Sequence, residues 1–221
     1  MLYDNSKFDD AYNIPKLKFI YKEIEKIKNI KILELGVRAG VSTSLFLKLC
    51  EDNNGKMISI DIDDYSHLYQ NKRWKFIHTR DDNFEKIDKE ITDMGGLDMI
   101  YIDSFHEPNH VKKILYHYYK ILNKGGFIFI DDICWLPYAK SSKLANSWNY
   151  EANIKTFEKL LEIKFNNNNK INIDFSFDDS GTAKITKKTN EILNEPKKVS
   201  QTFFIRNFCS SLYKRIANFY K

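Results

Sequence analysis

Apolar residues change period repeatedly along this chain. Across residues 14–27, Leu17, Ile20, Tyr21, Ile24 and Ile27 recur at three- and four-residue steps, which places them on one face of a helix. The stretch IKILEL (30–35) is then a short β-rich run ending at Gly36, and VSTSLFLKLCED reads as a helix stopped by Asn53, Asn54 and Gly55. KMISIDI, WKFIHT, LDMIYID and GFIFIDD read as further strands, with helices over NFEKIDKEITDM and EPNHVKKILYHYYKIL, the latter closed by Asn123, Lys124, Gly125 and Gly126. Several of these strands are continuous apolar runs, as a parallel sheet covered on both faces requires. Later the rhythm changes: NIKTFEKLLEIKF is helical, the four asparagines 166–169 form a loop, and INIDFSFDDSGTAKITK gives two strands around an Asp-Ser-Gly turn. The pattern predicts an α/β fold, a Rossmann-like, doubly wound, mostly parallel seven-stranded sheet finished by a C-terminal antiparallel hairpin. Right-handed crossovers and a reversal of strand order would leave a crevice above the carboxyl ends of strands 1 and 4.

Length and composition narrow the class. The 221 residues suffice for one domain with a tail, and 43% apolar content with 16 Phe and 13 Tyr excludes a wholly disordered chain. The longest apolar stretches, such as LDMIYI, fall well short of a bilayer span, so a soluble chain is expected. MLYDNSKFDD has neither the basic start nor the apolar stretch of a secretory signal, and Cys50, Cys134 and Cys209 form no Cys-x-x-Cys pair, so a cytoplasmic, reducing location is expected. Net charge is +5, but residues 190–221 hold six Lys or Arg against two Glu and account for most of it. The rest is near neutral, with no basic face, and nucleic acid is not the expected partner.

The first strand end carries LELGVRAGVST, in which Glu34, Gly36 and Gly40 lie between a strand and a helix. Glycines there let the backbone turn sharply against a ligand, and the helix offers free N–H groups. A dinucleotide fingerprint wants three glycines and this loop has two; taken alone it reads equally as an ordinary strand-to-helix turn. Strand 2 ends in Asp61 and Asp63, where a carboxylate can accept ribose hydroxyls, and strand 3 ends in Asp81 and Asp82, where an adenine amino group could be read. Together these features resemble the class I methyltransferases that use S-adenosylmethionine, whose loop has the form E/D-x-G-x-x-x-G. The resemblance covers residues 30–187 and implies cofactor contacts at Glu34, Gly36, Gly40, Asp61 and Asp81, with Asp63 and Asp82 as one-position alternatives.

Strand 4 ends at Asp103 and strand 5 at Asp131 and Asp132, so three carboxylates should meet at one edge of the crevice. Such acids repel unless a cation lies between them, and a hard divalent ion accepts oxygen ligands; a solvated strand end or helix cap is the plainer reading of a lone Asp-Asp pair. His106, one turn after Asp103, is suited to take a proton from a hydroxyl. IDSFHEPNHVKKILYHYYKILNKGGFIFIDDI resembles the D-G-x-H…L-x-x-G-G-x-x-x-x-D-D pattern of the macrocin O-methyltransferase-like and cephalosporin-hydroxylase-like branch, which includes metal-dependent sugar O-methyltransferases. That resemblance implies Asp103, Asp131 and Asp132 as ligands of Mg²⁺ or another divalent cation, and His106 as base. Ser104 stands for the usual glycine, Phe105 for a common acid and Pro108 for a common Tyr, so the acceptor is less defined than the chemistry.

Other conspicuous residues have plainer readings. His110 and His117, seven apart, are too far for one ion and read as helix surface or packing; His67 and His78 have no neighbour pattern; Cys134 could face the pocket; Trp135, Tyr138 and Trp148 read equally as acceptor wall or core. Residues 1–189 are expected to form the catalytic domain and 190–221 a linker and a basic amphipathic helix carrying Phe204, Phe208, Leu212, Ile216 and Phe219. That helix is expected to dock on its own domain or on a second copy, hence a homo-oligomer, with peripheral contact to an anionic membrane as the alternative. The expected activity is methyl transfer to a hydroxyl of a sugar or other small polyhydroxylated acceptor. Competing readings are a nucleic-acid or protein methyltransferase, disfavoured because strand 4 lacks an Asn/Asp-Pro-Pro-Tyr motif, and a non-catalytic S-adenosylmethionine-binding module.

Overall fold

A computed structural model describes residues 5–197; the expected amphipathic helix lies outside the described residues. The chain runs α1 (Asn5–Tyr12), α2 (Pro15–Ile24), β1 (Lys31–Leu35), α3 (Val41–Asp52), β2 (Lys56–Asp61), β3 (Trp74–His78), α4 (Phe84–Met94), β4 (Leu97–Ile102), α5 (Pro108–Ile121), β5 (Leu122–Asp131), α6 (Ser147–Asn166), β6 (Ile171–Ser176) and β7 (Thr182–Lys187). All seven strands form one sheet in the order β3-β2-β1-β4-β5-β7-β6. The first five are parallel, and β7 inserts antiparallel between β5 and β6. Strand order reverses at β1, where β2 lies on one side and β4 on the other, and the expected crevice opens there.

Two apolar layers hold the sheet. One face packs α1, α2 and α3 through Leu17, Ile20, Ile24, Leu45, Phe46 and Leu49 onto Ile32, Met57, Met99 and Tyr101. The other packs α4, α5 and α6 through Ile87, Ile91, Ile114, Tyr118, Leu160 and Ile163 onto Leu33, Ile100 and Ile128. Each fully buried aliphatic side chain contributes about 1.5–3 kcal/mol, which is why the central strands lack polar alternation.

Three features depart from expectation. Helix α1 precedes the expected first helix. Strand β5 starts at Leu122, so Asn123 to Gly126 lie within the strand, where they take up a register shift against β4 between the Leu97–Leu122 and Met99–Phe127 pairs. Helix α6 begins at Ser147, where Asn146 caps it by accepting from the Asn149 N–H at 3.1 Å. Among the described residues no helix is long and apolar enough to cross a membrane.

Candidate active site

The site is assembled from the carboxyl ends of β1, β2, β3, β4 and β5. They border a cleft of about 760 Å³ lined by Gly36, Arg38, Asp61, Asp81, Asp103, His106 and Asp132 among others. Gly36 has φ +97°, and a Cβ there would lie 2.1 Å from the Asp103 carbonyl oxygen. The loop can therefore cross the end of β4 only with glycine. The Asp61 Oδ2 atom accepts from the Val37 N–H at 2.7 Å and the Arg38 N–H at 3.2 Å, which fixes the loop's floor. Its oxygens keep lone pairs for further donors. Asp63 also borders the cleft, whereas Asp82 turns away to Arg80 and Lys113, which hold its carboxyl well below the usual range.

Asp81 faces the cleft, accepting on Oδ2 from the Ser104 hydroxyl at 2.5 Å and facing His110 Nε2 at 2.8 Å. Burial raises its pKa, but these two partners outweigh burial and leave it lowered. His110, read from sequence as surface or packing, is thus a cleft residue. Its place is set by α5, which starts at Pro108 and puts His110 in its first turn, at the end of the helix beside the β4 carboxyl end. His117 keeps the packing reading, stacked on Phe84 at 3.6 Å and paired with Asp88. His67 and His78 are exposed. Cys134 is buried away from the cleft. Trp135 packs on Phe157, while Trp148 is 51% exposed and stacks on Phe105 at 6.0 Å, placing these two aromatics at the cleft's outer edge.

Glu34 and Gly40, whose expected cofactor roles came from the same motif, lie behind the part of the loop that lines the cleft. Glu34 is fully buried and accepts from the hydroxyls of Ser42, Thr43 and Ser59 at 2.6, 2.7 and 2.7 Å. Burial, only partly offset by those donors, pushes its pKa up to about 7. It ties β1 and β2 to the first turn of α3, and so shapes the loop from behind. Gly40 caps α3 in the left-handed region (φ +75°), and the Tyr69 hydroxyl donates to its carbonyl at 2.8 Å.

The three acids at the β4 and β5 ends converge as expected. His106 Nε2 lies 3.4 Å from Asp103 Oδ1 and 3.6 Å from Asp132 Oδ2. Burial lowers the His106 pKa, but hydrogen bonding to Asp103 and the charges of Asp132 and Asp131 outweigh it and raise the pKa. Asp132 holds φ +57°, a conformation few non-glycine residues adopt, and such strain concentrates at functional sites. The Tyr101 hydroxyl lies between Asp131 Oδ2 (3.1 Å) and Asp103 Oδ2 (3.3 Å), a link no sequence signal marked.

The expected divalent-ion set does not fit this arrangement. Asp131 is 1% exposed, and its Oδ2 takes both the Tyr101 hydroxyl and the Lys16 ammonium, the latter at 2.5 Å. Burial and the neighbouring Asp103 push the Asp131 pKa up, the Lys16 ammonium opposes that rise, and the oxygen facing Lys16 is already engaged as its ion-pair partner. Among the described residues no three His, Cys, Asp or Glu side chains are grouped to hold a metal ion. No local sequence signal marks Lys16, which lies 115 residues from its partner.

A seven-stranded sheet in this order, with a glycine loop at the switch point and acids at successive strand ends, is the methyltransferase fold. Residues 33–133 match the family described as "Methyltransferase domain", and they contain the loop, Asp61, Asp81, the histidines and the acid cluster. Among solved structures, the MycE methyltransferase from the mycinamycin biosynthetic pathway, in complex with Mg, SAH and mycinamycin VI, superposes with a TM-score of 0.61 at 19% identity, covering 83% of this chain and 51% of that one. The chain therefore spans about half the length of MycE. The SAH-bound Podospora anserina methyltransferase PaMTH1 gives 0.63 at 14% identity, over 83% of this chain and 87% of that one. The Bacillus cereus O-methyltransferase in complex with SAH gives 0.56 at 15%, over 85% and 93%. No curated protein matches the chain.

Proposed function

We propose that the protein transfers a methyl group from S-adenosylmethionine to a hydroxyl of a sugar or similar small polyhydroxylated acceptor. The observation that carries this reading is His106, an imidazole held by two carboxylates where the cleft meets the ends of β4 and β5. When bound, S-adenosylmethionine supplies a methyl on a cationic sulfur, which is already electrophilic. The loop from Gly36 to Arg38 and the carboxylates of Asp61 and Asp81 suit its nucleoside and positive charge.

The chain's own task is to position an acceptor oxygen and remove its proton. With Nε2–H turned to Asp103 and Asp132, Nδ1 carries the lone pair that takes the acceptor proton, and both acids stabilise the imidazolium formed. With the cofactor bound, the new oxygen–methyl bond would form as the carbon–sulfur bond breaks, sulfur would keep that electron pair, and His106 would hold the acceptor proton. Asp103 and Asp132, 34% and 20% exposed, can accept from a second hydroxyl on the acceptor. The exposed faces of Phe105 and Trp148 offer a surface for the apolar face of a sugar ring. The branch resemblance and the Mg in the MycE complex make a divalent ion the expected accessory, but the placement of Asp131 fits it poorly and no step is assigned to it.

Calorimetric titration with S-adenosylmethionine, followed by a labelled-methyl screen of nucleotide sugars and glycans, tests the reading. His106→Ala should lower turnover roughly 10²–10⁴-fold and leave cofactor affinity nearly intact. Unchanged turnover would remove His106 from the role, and absence of cofactor binding would end the proposal.

A further inference from the structure

The acid cluster raises a question of charge that the proposed reaction leaves open. Asp103, Asp131 and Asp132 converge, and carboxylates so placed repel unless a cation balances them. That cation is Lys16. Lys16 Nζ lies 2.5 Å from Asp131 Oδ2 and 3.1 Å from the Ser180 hydroxyl, with its side chain 19% exposed. All three aspartates act on it: Asp131 most strongly, then Asp103 and Asp132, which together outweigh burial and raise its pKa.

Its position in sequence makes this placement informative. Pro15 is the first residue of α2 and Lys16 the second, so the ammonium sits in the first turn, beside the positive end of the helix dipole. A cation is disfavoured there unless something nearby compensates, and Asp131 does. The helix is anchored so that Lys16 has little choice of place: Leu17, Ile20 and Ile24 are buried under the sheet, and Glu23 pairs with Lys184 of β7 at 3.1 Å. Ser180 is in the β6–β7 turn, so the hairpin holds the ammonium from the other side.

We propose that Lys16 is the built-in cation of this carboxylate cluster, standing in the charge-balancing place of a divalent ion and opposing the binding of one. The geometry of Lys16, Asp131, Tyr101 and His106 carries this, independently of which acceptor is methylated. Lys16 is a positioning residue: it touches Asp131, not the reacting atoms. By holding Asp131 it leaves Asp103 and Asp132 to His106.

The test reads ion binding rather than methyl transfer, so a failed acceptor screen leaves it decisive. Free Mn²⁺ is followed by electron paramagnetic resonance during titration of the full chain, with thermal melting to check folding. Wild type and Lys16→Arg should bind Mn²⁺ only at millimolar concentration, and Lys16→Met should bind at least tenfold more tightly. Adding Asp131→Asn to Lys16→Met should abolish the gain. Micromolar binding by wild type that is lost in Asp131→Asn would overturn the proposal, whatever the lysine variants do. So would a folded Lys16→Met that binds no better than wild type. If Lys16→Met does not melt cooperatively, Lys16→Gln, which keeps a polar reach to Ser180, takes its place under the same criteria.

Discussion

His106 and Glu34 show how burial and neighbours decide what a titratable residue does. His106 must be neutral to accept a proton, and its carboxylate neighbours raise its pKa above the ordinary imidazole value of about 6.5. The neutral fraction therefore grows as pH rises through that raised value. The acid limb of a kcat/KM profile should lie above about 6.5, and Asp103→Asn should move it toward lower pH. A limb that stays put in Asp103→Asn would show that another group titrates. Glu34 behaves oppositely to a paired surface carboxylate. Unfolded, it loses its proton near 4.5; folded, near 7, so between those values the folded state binds more protons and stability falls as pH rises, levelling off above about 7. The fall is bounded by about 3 kcal/mol. Glu34→Gln keeps the shape without the charge, so its melting temperature should decline less than that of wild type from pH 5 to 7.5; parallel curves would contradict the assignment. The sequence marked Glu34 as part of a cofactor motif, but not that Ser42, Thr43 and Ser59 enclose it, since β2 supplies one hydroxyl from 25 residues away.

At the scale of elements, the loop between β1 and α3 carries the most constraint. Its glycines were legible because a short β-rich run followed by Gly-x-x-x-Gly and a helix has few alternatives. What each glycine does was not legible: Gly36 avoids the backbone at Asp103, a contact made by a neighbouring strand, while Gly40 only caps α3. Gly36→Ala should destabilise the protein by at least about 2 kcal/mol in chemical denaturation and weaken S-adenosylmethionine binding. A variant as stable as wild type would mean the loop can shift away from β4. The hairpin β6–β7 was readable from period-two alternation around its turn. Its second role, placing Ser180 and Thr182 beside Lys16 and Asp131, depends on β7 inserting next to β5.

For the whole molecule, alternation of strand and helix was enough to define a doubly wound sheet with its crevice at the β1/β4 switch, because parallel pairing and right-handed crossovers leave few ways to arrange those elements. Residues 103, 131 and 132 therefore fell together as expected: carboxyl ends of adjacent parallel strands share an edge by construction. The N-terminal segment obeys no such rule. Where α1 and α2 settle is fixed by which apolar surface remains uncovered, and α2 meets β5 through Phe19 on Phe129 and β7 through Glu23 on Lys184. Its landing point brings Lys16 to Asp131. Sequence by itself determined the sheet, its crevice and the acids at the strand ends, since local periodicity and strand topology dictate them. Only tertiary structure decided which cation faces those acids, that Glu34 works from behind the loop and that His110 holds Asp81, because each depends on packing between segments with no local signal to pair them.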